Sequence, residues 1–473
     1  MLPIEGDTIV AIATPLGVGG IGIIRISGSL VKTIISKIIK NSQLVPNKVI
    51  YTDFLNADLA IIDKGIAIFF KAPYSFTGED VLELQGHGGP VILNMLLKRV
   101  VALGARIAEP GEFSRRAYLA NKIDLVQAES IVALINAQTE QAAMAAVKSL
   151  QGEFSKQINA LLERLIHIRA NIEALIDFPE DDVDPLSKLN IENQLNKLTD
   201  QVKIILQQSK QGALLNDGIK AVILGKPNVG KSSLLNYFSQ EERAIVTEIP
   251  GTTRDLVSNK VNLEGLVVDF IDTAGIRETH DIVEKIGVDK AIKALEVADL
   301  ILLMLEAKDF LKIDEPLGLE KFLPAMINQE LLLNKKILIL VNKIDLVSDD
   351  PTDFINPINY KYNYIENNIN IVFISIKKDL YMHKLTQHIK DLVGLNNVYD
   401  QSVFIAKIRH IKALEEALDS LLIAKEVFTD NYFNWDLFAE ELRRSQDKLA
   451  KITGMFTNED LLNRIFSEFC IGK

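Results

Sequence analysis

The residues whose types and spacing point most directly to chemistry are residues 225–232, which read GKPNVGKS. They follow the apolar run 219–224 and precede a stretch of helical spacing. Glycines let the backbone amides curl around an anion, the amine of Lys231 reaches outer phosphates, and the hydroxyl of Ser232 suits Mg²⁺. Taken alone, the octapeptide also fits a glycine-rich turn between a strand and a helix. It indicates a phosphate-binding loop only together with further nucleotide motifs.

Two such motifs follow in the expected order. Residues 272–275 (DTAG) come after the apolar run 267–271, where an aspartate can hold Mg²⁺ and a glycine can face the γ-phosphate. Residues 342–345 (NKID) come after the run 337–341, and the aspartate of this motif accepts two hydrogen bonds that guanine offers and adenine does not. Open α/β sheets bind ligands at the carboxyl ends of their strands, so the combination predicts a GTP site.

The NKID tetrapeptide occurs twice in the chain, and the segment that supports the base departs from the usual sequence. Residues 121–124 also read NKID, but they precede the phosphate loop and follow no strand-like run, so we do not assign them to the base. The element that normally supports the base with a Ser-Ala pair reads Ser375 and Ile376. Guanine specificity is therefore expected to rest mainly on Asp345.

Hydrolysis needs a device other than the glutamine of Ras-like enzymes, because Ile276 follows the DTAG motif. Residues 250–255 (PGTTRD) lie where a switch loop supplies a threonine to Mg²⁺. Arg254 in this loop is either an internal charge finger or a solvated arginine, and the sequence leaves both readings open.

The pattern of apolar residues predicts how these motifs are positioned. Short apolar runs at 219–224, 267–271, 300–305, 337–341 and 371–374 alternate with helical segments, which predicts a parallel sheet covered on both faces. Helical spacing dominates at residues 128–175 and 191–205 and returns at 410–428 and 436–452. Residues 8–120 alternate short apolar runs with Gly and Pro and predict a small α/β domain. The nucleotide-binding unit therefore reads as an insertion between two halves of a helical domain.

Composition limits what else the chain can be, in its folding, its partners and its location. The 473 residues are 48% apolar and 24% charged, as in folded multidomain proteins, and the net charge of −11 means that RNA would be held by local basic patches. The single cysteine, Cys470, excludes an intrachain disulfide and a thiolate metal cluster. The first residues lack the pattern of a signal peptide, and no apolar run is long enough to span a membrane, so we expect a cytoplasmic protein without membrane contact.

Motifs along the whole chain resemble the tRNA modification GTPase MnmE (TrmE) family. They include PNVGKSS at 227–233, GTTRD at 251–255 and the terminal FCIGK at 469–473. Further matches lie at 13–15, 22–25, 76–80, 84–89 and 404–410. The carboxyl-terminal CxGK on a GTPase is the most specific of these signals.

The resemblance implies a GTP hydrolase that acts in tRNA modification with an FAD-dependent partner, which carries the FAD. The pair adds an aminomethyl or carboxymethylaminomethyl group to carbon 5 of the wobble uridine of certain tRNAs, with a tetrahydrofolate derivative as one-carbon donor. The implied domains are a folate-binding and dimerisation domain at 1–120, helical segments at 121–216 and 396–473, and an inserted Ras-like P-loop GTPase domain at 217–395. A homodimer is expected.

The resemblance also assigns residues. The folate contacts are Arg25, Glu83, Lys122 and Lys473, although the first three read without the family as solvated charges and a strand-edge carboxylate. Potassium is held by Asn228, Thr247, Ile249 and Thr252, Mg²⁺ by Ser232 and Thr253, and the attacking water by Glu284, which otherwise reads as a solvated acid at a helix start. The whole GTP site comprises Asn228, Val229, Gly230, Lys231, Ser232, Ser233, Thr247, Glu248, Ile249, Pro250, Gly251, Thr252, Thr253, Asp272, Thr273, Ala274, Gly275, Asn342, Lys343, Ile344 and Asp345.

Cys470 has two readings. A lone cysteine after an amphipathic helix is commonly a small buried apolar residue, and a helix carboxyl end raises rather than lowers the pKa of a thiol. The family resemblance favours a functional thiol that acts as proton donor or nucleophile. Lys407, where relatives carry arginine, and Ile376 depart mildly from the family pattern. The rival functions are a ribosome-assembly factor, a folate-dependent carrier whose GTPase domain only regulates assembly, and a scaffold that dimerises with GTP.

Overall fold

A computed structural model describes residues 6–15, 17–40, 43–177, 185–240, 259–271, 293–311, 335–348, 358–360, 369–395, 403–429, 434–454, 465–467, 469 and 472. The chain divides into two compact units. The first unit contains residues 1–132, 148–203 and 412–473, and the second contains residues 133–147 and 204–411.

The first unit contains a mixed sheet with the strand order β3-β4-β5-β2-β1-β6 in the described residues. Its strands are β1 (Ile9–Ile12), β2 (Gly19–Ser27), β3 (Val49–Leu55), β4 (Ile61–Phe70), β5 (Val81–Gly88) and β6 (Arg106–Ile107). Neighbouring strands are antiparallel except β1 and β6, which are parallel. This sheet confirms the predicted amino-terminal α/β domain.

Two helices cover one face of this sheet. Helices α1 (Val31–Ile38) and α2 (Pro90–Ala102) bury their apolar sides in a core with alternate residues of β2 and β5. The buried members on these four elements are Val31, Ile34, Ile35 and Ile38, Leu93, Leu96 and Val100, Ile24 and Ile26, and Leu82 and Leu84. A smaller cluster contains Ile9 and Ala11 of β1 together with Phe113 of α3 (Glu112–Leu119). The period of two along each strand separates the residues of one face from those of the other.

Long helices follow, as the spacing predicts. They are α4 (Leu125–Asn136), α5 (Glu140–Leu150), α6 (Glu153–Asp177), α7 (Pro185–Asp217), α11 (Ile408–Thr429) and α12 (Trp435–Thr453). Within the first unit, α6 packs against α12. The side chain of Asn434 accepts hydrogen bonds from the backbone N–H groups of Asp436 and Leu437 and so caps the start of α12. No helix in the part of the chain that the structure describes is long and apolar enough to cross a membrane.

The second unit contains a sheet with the order β12-β13-β11-β10-β7-β9-β8 in the described ranges. Its strands are β7 (Ile219–Leu224), β8 (Asn259–Leu263), β9 (Leu266–Ile271), β10 (Leu300–Glu306), β11 (Lys336–Asn342), β12 (Ile358–Tyr360) and β13 (Ile369–Phe373). The five inner strands are mutually parallel, and β8 and β12 are antiparallel edges. The predicted mostly parallel sheet is confirmed.

Helices lie on both faces of this sheet, because its inner strands are apolar on both sides. One core contains α8 (Lys231–Gln240) and α10 (Met382–Val393), and the other contains the helical residues 293–297 and the short helix α9 (Ala307–Phe310). The sheet is therefore packed on both faces, and residues 225–232 and 342–345 lie at the carboxyl ends of β7 and β11.

Candidate functional site

The predicted phosphate loop joins β7 to α8. Gly225 and Gly230 have φ values of +149° and +112°, and a Cβ at Gly225 would overlap the carbonyl oxygen of Met304 on β10. A side chain at Gly225 is excluded for this steric reason. The loop therefore lies directly on the neighbouring strand, which fixes its backbone amides at the amino terminus of α8.

The side chain of Lys231 lies across this loop. Its Nζ donates hydrogen bonds to the carbonyl oxygens of Gly225, at 2.5 Å, and Lys226, at 3.0 Å. Ser232 and Ser233 are exposed in the first turn of α8, and Asn228 is exposed with a φ of +64°. A half-buried ammonium, the amino terminus of α8 and nearby hydroxyls form an arrangement suited to a polyphosphate.

Asn342 connects three parts of the site. Its Nδ2 donates to the carbonyl oxygen of Val229 at 2.8 Å, and its Oδ1 accepts from the backbone N–H of Ile376 at 3.3 Å. The residue is only 4% exposed. This one side chain therefore holds the phosphate loop, the end of β11 and the segment after β13 together.

Asp345 lies in a short 3₁₀ turn, Ile344–Leu346, and its Oδ1 accepts a hydrogen bond of 2.6 Å from the hydroxyl of Ser375. Lys343 has a φ of +65°, and its Nζ lies 3.3 Å from a carboxylate oxygen of Glu306. Ile376 keeps the backbone N–H that Asn342 requires, so its departure from alanine leaves this hydrogen bond in place. The structure brings residues 225–232, 342–345 and 375–376 together at the carboxyl edge of the sheet.

Several predicted residues lie outside the described residues. They are Thr247, Glu248, Ile249, Pro250, Gly251, Thr252, Thr253, Arg254, Asp272, Thr273, Ala274, Gly275, Ile276, Glu284, Cys470 and Lys473. No group of three or more His, Cys, Asp or Glu side chains in the described ranges could hold a metal ion.

A second constellation lies in the first unit. Arg25 on β2 and Glu83 on β5 are register partners, and Arg25 Nε donates to Glu83 Oε1 at 2.9 Å. The guanidinium also lies 5.8 Å from the ring centre of Phe113. Both side chains are largely buried, with 26% and 14% of each exposed. Burial of a charged pair is costly unless each charge finds partners, and here Gln85 Nε2 also donates to Glu83 Oε2, at 3.3 Å.

The carboxyl terminus reaches the same pair. Arg25 Nη1 donates to the carbonyl oxygen of Gly472 at 3.2 Å, although 447 positions separate the two residues. Gly472 has a φ of +98°, and a Cβ there would lie 2.6 Å from the carbonyl oxygen of Ile12. Only glycine fits this close approach to β1, which brings the carbonyl oxygen of Gly472 to Arg25.

Lys122 and the first NKID copy are explained by local geometry. Lys122 is exposed, and its Cε lies 3.5 Å from the position that a Cβ on Gly78 would occupy. Asp124 Oδ1 accepts from the N–H of Gln127, and the Gln127 side chain accepts from the N–H of Asp124. This reciprocal pair is a helix-start arrangement at α4. The first copy therefore begins a helix instead of ending a strand.

One set of charged residues was missed by sequence reasoning. Arg116, which is 11% exposed in its side chain, donates to Asp7, Glu79 and Glu112, and Arg106 also donates to Asp7 and Glu112. Burial alone would raise the pKa of the Glu112 carboxyl, but hydrogen bonds from Arg106, the backbone N–H of Glu109 and Arg116 outweigh it and hold that pKa below its usual range. Only the i,i+4 spacing of Glu112 and Arg116 was visible in the sequence.

Comparisons with known proteins give a consistent result. The family model described as the MnmE helical domain matches residues 125–470, and the model described as the GTP-binding protein TrmE N-terminus matches residues 8–122. The chain is 45% identical over 468 residues to the tRNA modification GTPase MnmE of Hydrogenovibrio crunogenus, covering 99% of each chain. It is 46% identical over 473 residues to the protein of that name from Coxiella burnetii, again covering 99% of each.

Among solved structures, a crystal structure of Era from Aquifex aeolicus bound to GDP·AlF4− is 26% identical with a TM-score of 0.27, and the match covers 43% of this chain and 67% of that one.

Proposed function

Because the chain belongs to the MnmE family of tRNA modification GTPases, we propose that it modifies carbon 5 of the wobble uridine together with an FAD-dependent partner. The group added is aminomethyl or carboxymethylaminomethyl, and a tetrahydrofolate derivative supplies its one-carbon unit. The chain itself is a GTP hydrolase that acts in tRNA modification.

The nucleotide site carries the GTPase part of this proposal. The loop amides and Lys231 hold the phosphates, Ser232 and Thr253 ligate Mg²⁺, and the Asp345 carboxylate accepts from guanine. The contacts of Asn342 and Ser375 support these roles, because they fix the loop and the carboxylate before a nucleotide arrives.

A monovalent cation belongs to the same proposal. Asn228, Thr247, Ile249 and Thr252 hold K⁺, which supplies positive charge beside the phosphates where other GTPases use an arginine. Glu284 orients the attacking water. Asn228 is exposed in the phosphate loop and has a left-handed backbone, which leaves its side-chain oxygen open to a ligand.

The single observation that carries the folate proposal is the contact of Arg25 with both Glu83 and Gly472. A carboxylate held by an arginine suits the amino-pyrimidinone edge of a pterin, which presents N–H donors. Lys122 and Lys473 supply cations for carboxylates of the folate, and Cys470 lies three residues before the chain end. We propose that Cys470 acts there as proton donor or nucleophile.

The proposed domains follow the same assignment. Residues 1–120 bind folate and form a homodimer, residues 121–216 and 396–473 form the helical domain, and residues 217–395 form the inserted GTPase domain. Light scattering of the full chain tests the dimer, and a monomer at micromolar concentration would refute it.

Calorimetric titration with 5-formyltetrahydrofolate tests the folate site. Arg25→Ala and Glu83→Gln each remove a hydrogen bond to a charged group, worth about 1.5–3 kcal/mol, so binding should weaken by about 10- to 150-fold. Arg443→Ala, which breaks an exposed ion pair with Glu440, is the matched control and should leave binding unchanged. Equal affinities for all four proteins would refute this site.

A further inference from the structure

One face of the amino-terminal sheet carries cations in segments that lack acids. Residues 28–52 contain Lys32, Lys37, Lys40 and Lys48 and no Asp or Glu. Residues 84–108 contain Lys98, Arg99 and Arg106 and again no Asp or Glu. The whole chain has a net charge of −11, so these two segments run against its average composition.

The fold places these two segments side by side. Helices α1 and α2 share one core under the same face of the sheet. Arg99 Nη2 donates to the carbonyl oxygen of Lys37 at 3.4 Å, and a Cβ on Gly104 would lie 3.1 Å from Leu30 Cδ1. Arg99 in the last turn of α2 therefore lies beside the last turn of α1, and residue 104, just after α2, lies beside the start of α1. We call Lys32, Lys37, Lys40, Lys48, Lys98 and Arg99 the basic face.

Most charges of the basic face are open to solvent. Lys32 and Lys40 pair with Asp80 and Asp53 at 3.2 Å, yet 65% and 67% of their side chains stay exposed. Lys37, Lys48 and Lys98 are exposed as well, and within the described residues none of them lies within 4.0 Å of a carboxylate oxygen. After pairing, the basic face retains a net positive charge.

Helix dipoles explain only part of this pattern. Cations in the last turn of a helix are favourable, which accounts for Lys37 and Arg99. Lys48 lies in the turn before β3, and no dipole argument excludes acids from two whole segments. Two acid-free segments in an acidic chain, with Asp53 and Asp80 of neighbouring segments as the described ion-pair partners of the basic face, instead fit a surface that meets a polyanion.

The basic face is distinct from the proposed folate site. Ile24 and Ile26 of β2 point into the core under α1 and α2, so Arg25 between them points to the opposite side of the sheet. The contact of Arg25 with Phe113 agrees with this. Cations of the basic face therefore do not serve the one-carbon donor.

We propose that the basic face binds the phosphate backbone of the body of the tRNA, away from the base that is modified. The proposal builds on the role in tRNA modification. Lysine ammonium groups act as point charges on phosphates and release condensed counterions, so this contact gives affinity and orientation without reading sequence. The wobble base then remains free for the site on the other side of the sheet.

Binding of an unmodified tRNA transcript to the full chain, measured over a range of salt, tests the proposal. The variant Lys37→Gln/Lys48→Gln/Lys98→Gln removes three charges, and the control Lys156→Gln/Lys197→Gln/Lys293→Gln removes three exposed charges elsewhere. The slope of log K against log salt is negative, and each lost phosphate contact reduces its magnitude by about 0.9. The first variant should reduce the magnitude of this slope by about three and weaken binding on the order of 10²-fold at 0.1 M salt. The control should resemble the parent.

Further measurements on the same and additional variants make the result decisive. GTP hydrolysis and thermal melting should match the parent in both triple variants, and the triple Lys→Arg variant should retain full tRNA binding. The single variant Lys98→Glu should reduce the magnitude of the salt slope by at least about one. An unchanged slope in the first variant, or equal losses in variant and control, would overturn the proposal. If the first variant lost binding to phosphatidylserine vesicles while its tRNA binding stayed unchanged, the proposal would also be overturned. None of these outcomes depends on folate or potassium.

Discussion

The hydrogen bonds of Asn342 make a quantitative prediction about nucleotide affinity. Asn342→Ala leaves the carbonyl oxygen of Val229 and the N–H of Ile376 without their partner, in a place where Asn342 is 4% exposed. Each unsatisfied buried group costs about 1–3 kcal/mol. Because the second bond is long at 3.3 Å, we count it at the low end and expect a total of about 2–4 kcal/mol.

This cost falls on nucleotide binding, because the loop that Asn342 fixes must supply its amides in one arrangement. We expect GDP and GTP to bind about 30- to 1,000-fold more weakly. Displacement of a fluorescent GDP analogue from the full chain measures this directly. Melting of the protein shows whether the variant stays folded.

The chain offers a matched control in its first NKID copy. Asn121 occupies the equivalent letter of that tetrapeptide but is exposed, with a φ of +53°, beside the start of α4. Asn121→Ala should cost some local stability and leave nucleotide affinity unchanged. The reasoning is refuted if Asn342→Ala binds GDP within threefold of the parent, or if both variants lose the same affinity.

Three other perturbations have clear expectations. Asp345→Asn should weaken GTP binding by at least about 10²-fold and improve binding of xanthosine triphosphate, because the amide can donate to the extra carbonyl of xanthine. Competition binding measures both affinities, and an unchanged GTP affinity would contradict the role of Asp345. Replacing K⁺ by Na⁺ should slow hydrolysis on the order of 10³-fold, and an Asn228→Ala variant should lose this ion dependence; equal rates in both salts would dismiss potassium. Glu112→Gln should lower the melting temperature at pH 7 and reduce the further loss of melting temperature as the pH falls below about 4.5. Its carboxyl has a lowered pKa in the folded chain, so its stabilisation is present above the usual pKa and is lost as acid protonates it; an unchanged pH profile in calorimetry would contradict this.

The GTPase sheet was readable because its inner strands are buried on both faces. Runs such as Ile219–Leu224 and Lys336–Asn342 are nearly continuous apolar stretches, and the motifs follow them directly. The edge strand β8 was not predicted, since Asn259–Leu263 alternates polar and apolar residues over only five positions. Its pairing with β9 comes from the tight turn at Glu264 and Gly265, which have φ values of +50° and +100°.

The first unit was harder to read for a different reason. Arg25 and Gly472 meet across almost the whole chain, and Arg116 reaches Asp7 over 109 positions. No local pattern encodes such contacts, because they depend on how strands and termini pack. Family motifs pointed to Arg25 and Glu83, but only the register of β2 with β5 shows that the two side chains are partners.

The most direct test of the central claim is mass spectrometry of tRNA nucleosides from cells that lack this chain, complemented with the parent, Lys231→Ala or Arg25→Ala. The parent should restore the aminomethyl-type group at carbon 5 of the wobble uridine, and both variants should fail, the first through the nucleotide site and the second through the one-carbon site. Normal modified uridine in cells without the chain, or full restoration by Arg25→Ala, would contradict the account.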